Sequence, residues 1–310
     1  MLSPARADPP HKGEARPTRG QRIFSATSLA LVAALLFGGA LVLTQFGLRH
    51  ISPILGGAIS IPSATLLFWV LSPVTLGDAP WNTRGALIFA AVGLVFPATV
   101  TLLSFEANRR MGPNMAGTVG NLAPLFAVLF AVLMLGETLH PMQAVGIAAI
   151  VGGIMLLSAG GRAGTKAWAT AALLLPLAAA AIRGAVQPAI KAGFMYWPDP
   201  MVAVLIGYTV STVIATSVML GRSDRDTRRD YNPRGIGWFA SVGLCNGLAV
   251  VAMYSALGLG PVTLVSPLVA TYPLVTLALS FLFLREEIPG RYLVGGVTAT
   301  VLGVVLLIAA

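Results

Sequence analysis

The sequence predicts an all-α integral membrane protein, ten transmembrane helices built as two inverted five-helix repeats around a central cavity. Three observations carry this. Of 310 residues, 56% are hydrophobic and only 10% charged, and a mean hydropathy of +0.83 leaves too little polarity to cover a water-facing surface. Ten apolar runs follow one another, each close to the roughly 20 residues that cross a hydrocarbon core about 30 Å thick. The chain also repeats itself. Phe105-Glu106-Ala107, Pro124 and Glu137 return as Tyr254-Ser255-Ala256, Pro273 and Glu286, and 254 − 105, 273 − 124 and 286 − 137 all give 149.

Taken in order, residues 1–24 hold Pro4, Pro9, Pro10 and Pro17 with Arg6, Lys12, Arg16, Arg19 and Arg22, which predicts a disordered basic cytoplasmic tail. The first run, 26–48, is longer than a signal-peptide core, has no small-residue cleavage pattern after it and ends at Arg49-His50, so it reads as a retained span. The others lie near 53–73, 84–104, 114–135, 141–160, 168–190, 200–220, 235–257, 261–284 and 291–309. They lack the alternation of barrel strands, and lipid offers no partner to an unpaired backbone, so they must be helices. Most connections are short and rich in Gly and Pro, which sets neighbours antiparallel; the longer 222–234 loop alternates Arg with Asp224, Asp226 and Asp230 and reads as a solvated face.

The duplication reaches the front of each half. Phe37-Gly38, Gln45 and Gly47 match Arg183-Gly184, Lys191 and Gly193 at a common offset, 183 − 37 = 146. The repeats therefore occupy 25–160 and 161–310, five spans each. An odd number sends the second repeat into the membrane from the opposite side, the arrangement that supports alternating access.

These residues resemble a known family. Leu36-Phe37-Gly38, Tyr254-x-Ala256 with Pro261, Pro273 and Glu286, and the weaker copy ending in Gly136-Glu137-x-Leu139 are similar to the EamA domain of the drug/metabolite transporter superfamily, over about residues 26–309. The resemblance implies ten helices around a cavity, export or exchange of small metabolites, commonly amino acids, and both termini in the cytoplasm. The Lys and Arg count opposes that orientation, with seven on the N-terminal side and twelve on the other. The first span and its tail often dominate insertion, however, and five tail residues face Arg49 alone, so cytoplasmic ends in a bacterial inner membrane are expected.

Charge within a membrane costs roughly 2.5–3.5 kcal/mol at mid-helix, so each such group is a functional candidate. Ten of the eleven acids fall in the tail, in loops or at helix ends. Glu106 is near a span, but Arg109 and Arg110 follow at local ion-pair spacing. An exporter exchanging protons for cations needs a mid-membrane carboxylate, and Leu29–Leu48 has none; facilitated export or exchange is expected instead. No His cluster, Gly-rich phosphate loop or embedded acid pair suggests an enzyme. Cys245, the one cysteine, lies in an apolar run, so no disulfide is possible. No cofactor or nucleic-acid partner is implied: the net charge of +9 resides in tail and loops, where lipid headgroups are the expected partner, and no oligomer is required.

Arg183 is the exception among the basic residues, seven residues inside its span, about 10 Å along the axis. Gln187 and Lys191 follow at four-residue steps, a polar stripe on one helix face. Arg183 either holds a substrate carboxylate by paired hydrogen bonds or locks helices through backbone or Glu106. Asn114, Thr118 and Asn121 make a second stripe, which requires a helix or a hydrated cavity as partner. Pro124, just beyond Asn121, and Pro273, beside Tyr272, predict matched kinks across the pseudo-axis that serve as hinges or gates. Asn246 and Thr99 are fainter cavity candidates. Glu137 reads as punctuation before the helix starting at Pro141, and Trp69, Trp168, Trp197 and Trp238 as interfacial anchors. The expected activity is secondary transport of small metabolites, amino acids first; a multidrug exporter of apolar compounds and a non-transporting receptor or scaffold are the alternatives.

Overall fold

The computed structural model describes residues 18–76, 80–111, 113–159, 170–221, 232–283 and 290–310. Its helices make ten spans long and apolar enough to cross a membrane. The first repeat comprises α1 (Arg19–Leu48), α2 (Pro53–Thr75), α3 (Thr83–Val95) with α4 (Ala98–Met111), α5 (Pro113–Gly120) with α6 (Ala123–Leu135), and α7 (Pro141–Ala159). The second comprises α8 (Thr170–Phe194), α9 (Pro200–Gly221), α10 (Pro233–Leu259), α11 (Val262–Val269) with α12 (Tyr272–Phe283), and α13 (Gly290–Ala309). Trp168, the 222–231 loop, and Glu286 with its neighbours lie outside the described residues.

The first helix begins earlier than the apolar run does. Thr18 and Gln21 form a reciprocal capping box, Gln21 N–H to Thr18 Oγ1 at 3.3 Å and Thr18 N–H to Gln21 Oε1 at 2.8 Å. Arg19 and Arg22, expected in a disordered tail, are therefore helical. Two polar caps supply backbone partners that hydropathy alone does not register.

Helix pairing follows the duplication. The first span of each repeat packs on the third and fourth spans of the other: α1 on α10 and α12, α8 on α3, α4 and α6. The second spans meet each other, α2 on α9, as do the fifth spans, α7 on α13. Such an exchange is what a pseudo-two-fold axis between inverted halves requires. Small residues bring the backbones together, because lipid tails provide no hydrophobic force between helices. At Gly38 a Cβ would stand 2.8 Å from the Tyr272 carbonyl oxygen and 2.6 Å from Val275 Cβ. At Gly184 it would stand 2.8 Å from the Ala123 oxygen and 2.5 Å from Phe126 Cβ, the same contact in the other repeat.

Among the described residues three spans are broken near their middle. The fourth breaks at Asn121-Leu122 and the ninth at Ala270-Thr271, with 270 − 121 again 149. Pro124 and Pro273 each take the second position of the following half-helix, where a missing N–H is tolerated. Matched breaks thus occur where the prolines predict them. The third break, at Phe96-Pro97, has no counterpart in the continuous α10, and its free Ala98 N–H is received by Ser211 Oγ at 2.9 Å.

Candidate functional site

The breaks surround a cavity of about 400 Å³. Its apolar wall includes Phe37, Leu41, Ile61, Phe96, Phe239 and Val242; its polar groups include Asn121, Arg183, Gln187, Asn246, Ser266 and Tyr272. Gly120 also lines it, and having no side chain it presents backbone. Pro124 has no N–H for the Gly120 carbonyl four residues earlier, so that oxygen loses its helical partner.

The cavity lies to one side of the midplane. Alternating spans place Arg19, Leu135, Phe194, Leu259 and Val262 at one face of the bundle, here the Arg19 face. The α4 residues on the wall, Val100, Thr101 and Ser104, and Phe239 and Val242 of α10, lie toward the opposite face. At the Arg19 face the helix ends are tied together. Glu137 Oε1 and Oε2 receive the Val262 and Thr263 N–H groups, each at 2.9 Å, at the start of α11. Lys191 Nζ stands 3.3 Å from Glu137 Oε1 and donates to the Gly260 carbonyl. The carboxylate thus satisfies two N–H groups that every helix start leaves free and meets the positive end of the α11 dipole. Glu137 does not cap the local helix at Pro141, as its sequence position suggests, but one in the other repeat. Gly136, in the left-handed conformation at φ 64°, ends α6 and turns the chain toward that contact. Trp197, expected as an interfacial anchor, is buried at 7% exposure with its ring 5.1 Å from that of Trp81.

Arg183 is deeper than its apolar run implies, since α8 continues to Phe194, eleven residues and about 16 Å beyond it. It does not pair with Glu106, which is held by Arg109 Nε and Nη2 at 2.8 and 2.7 Å and by Arg110 Nε at 2.6 Å. Those hydrogen bonds, Arg109's first, keep the Glu106 carboxyl far below the usual carboxylate range, at about 2. No hydrogen-bond or ion-pair partner of Arg183 occurs among the described residues. One turn on, Gln187 is 7% exposed and its Oε1 has no partner among them; the same holds for Ser266 Oγ, at 1%.

Other predicted positions divide. Asn121 Nδ2 donates to Ser158 Oγ at 2.9 Å, tying the fourth-span break to α7. Tyr272 contacts Phe37 edge to face, with centroids 6.4 Å apart. Thr118 is engaged by an interaction of its own and is not on the wall. Thr99 is not on the wall either; its hydroxyl returns to the Leu94 carbonyl across the third-span break at 2.8 Å, while its neighbours Val100 and Thr101 line the cavity. Polarity within an apolar run, the signal that selects Thr99, does not tell which side of α4 meets the cavity. The Asn114 side chain lies outside the described ones. Ser266 lines the cavity too, and the signal that selects Asn246, a polar side chain within an apolar run, applies to it equally.

The profile of one protein family, the EamA-like transporter family, matches residues 24–159 and 170–309. No curated protein matches the chain. Among solved structures 29 chains are similar. One, described only as "Crystal structure of protein", has a TM-score of 0.76 at 21% identity, over 91% of this chain and 96% of that one. At that identity the likeness shows the fold alone.

Proposed function

The chain belongs to the EamA-like transporter family, of the drug/metabolite transporter superfamily, and from that premise we propose that it exports or exchanges small carboxylate metabolites, amino acids and their analogues, by alternating access to the cavity at Arg183. One observation carries the reading: an arginine at mid-span, on a cavity wall, without a partner among the described residues. A half-buried cation that nothing compensates within an apolar span is costly, and a substrate carboxylate in paired hydrogen bonds offsets that cost. Tyr272, Asn121 and Asn246 supply further contacts, and the paired helix breaks at Pro124 and Pro273 supply the hinges.

The three described acids are engaged elsewhere. Glu106 pairs with Arg109 and Arg110, Glu137 with Lys191 and α11, and Asp199 Oδ1 accepts from Met201 and Val202 N–H at the start of α9. This supports facilitated movement over obligate proton coupling. The protein is multi-pass, and in our reading it lies in a bacterial inner membrane with both ends cytoplasmic, so that the tied Arg19 face is cytoplasmic; labelling by a membrane-impermeant reagent at that face in intact cells would contradict this.

The test is uptake of a labelled amino-acid panel by purified protein in proteoliposomes. At least one member should move, and Arg183→Ala should abolish its movement while thermal unfolding in detergent stays within a few degrees. Unchanged flux in that variant sinks the reading. Flux that collapses with the proton gradient and survives Glu106→Gln would refute uncoupled transport. The mostly apolar wall favours a second reading, export of apolar compounds, which predicts flux of uncharged hydrophobic solutes indifferent to Arg183. A scaffold that does not transport predicts no flux at all.

A further inference from the structure

The unpartnered groups of the cavity differ in charge type, and together they define a ligand more narrowly than the transport reading, on which the following rests for the location of the site. Arg183 supplies one full positive charge. Gln187 Oε1 is a neutral acceptor and the Ser266 hydroxyl can accept or donate, both buried and without partners among the described residues; Gly120 adds backbone to the same wall. Among those residues no carboxylate lines the cavity. The remainder of the wall is aromatic and aliphatic, and about 400 Å³ accommodates a bulky side chain.

From these we infer that the site prefers a net monoanion: a carboxylate for Arg183, a neighbouring neutral hydrogen-bond donor for the acceptors, and a large apolar substituent. That describes aromatic 2-hydroxy acids and N-acyl amino acids ahead of the zwitterionic amino acids themselves. The argument is electrostatic. A carboxylate neutralises the guanidinium, whereas a zwitterion brings an ammonium to within about 5 Å of it. At an effective dielectric near 20, typical of protein sites, two like charges at that separation repel strongly, and carbonyl dipoles answer them only in part. A hydroxyl or amide N–H satisfies the same acceptors without that repulsion. An apolar amine lacks the anion altogether and leaves Arg183 uncompensated.

The experiment measures binding to the purified full-length protein in detergent by calorimetry, alongside flux in proteoliposomes, with three probes on one skeleton: 3-phenyllactate, N-acetylphenylalanine and phenylalanine. The expected result is affinity for the first two at least tenfold above phenylalanine, with the ratio falling to near one in Arg183→Gln. Equal or tighter binding of phenylalanine overturns the inference, as does a ratio that Arg183→Gln leaves unchanged, or absence of binding by all three. If Arg183→Gln fails to fold, Arg183→Lys decides, since losing the forked donor while keeping the charge should weaken both anions about tenfold, and unchanged affinity counts against the inference. Selective binding of the anions with no flux supports the inference and refutes transport, so the two readings fail separately.

Discussion

At Glu137 the sequence and the fold part company. A carboxylate four residues before Pro141 has a local role available, and nothing in linear spacing connects it to Val262. Only folding brings α11 of the other repeat to it, and with that helix come two backbone donors and Lys191. Arg183 is the contrary case, since a charge in an apolar run is visible in the sequence and its cost predicts a special surrounding. What spacing cannot reveal is its partner, and Glu106 proved to be taken by nearer arginines. Because the Glu137 side chain is only 11% exposed, removing it leaves two N–H groups and an ammonium poorly compensated. Glu137→Ala should therefore cost about 3 kcal/mol, and Glu137→Gln, which keeps one oxygen, about half of that. Thermal unfolding in detergent measures both; equal melting of wild type and Glu137→Ala would show the contact to be incidental.

Among the elements, the broken spans were only partly legible. Pro124 and Pro273 announce themselves as a pair because both proline and repeat register are printed in the sequence. The third-span break at Phe96-Pro97 has no matched partner in the other repeat, and its contact across the fold, Ser211 Oγ, is 113 residues away. If the paired breaks are the hinges of the proposed cycle, then Pro124→Ala and Pro273→Ala, which return an N–H to the Gly120 and Val269 carbonyls, should lower flux at least tenfold. Stability should hold or rise, because each variant restores a helical hydrogen bond. Loss of flux accompanied by loss of folding would instead mark the breaks as packing devices.

For the whole molecule, duplication makes a claim about states that neither half makes alone. The Arg19 face is tied by Lys191 and Glu137, which the repeat register pairs with Gln45 (191 − 146) and Glu286 (286 − 137 = 149) for the opposite face. Glu286 lies outside the described residues, but the substitution of Gln for Lys between the copies is plain in the sequence. The Arg19 face therefore has an ion pair where its counterpart offers an amide, and the equilibrium of the proposed cycle should favour closure there. The described state, with the cavity displaced toward the opposite face, agrees with this. A difference of about 1.4 kcal/mol shifts such a balance tenfold. Lys191→Gln should then raise labelling at the Arg19 face and lower that of a cysteine replacing Ser104, near the other end of the cavity, when Cys245 has been changed to Ala. Gln45→Lys should also slow labelling at position 104, by supplying the second copy with the cation it lacks. The two changes reach one outcome from opposite ends of the membrane, by weakening one closure and strengthening the other. Were Gln45→Lys to speed that labelling, the two faces would not be competing closures, and the inverted repeat would be a matter of packing alone.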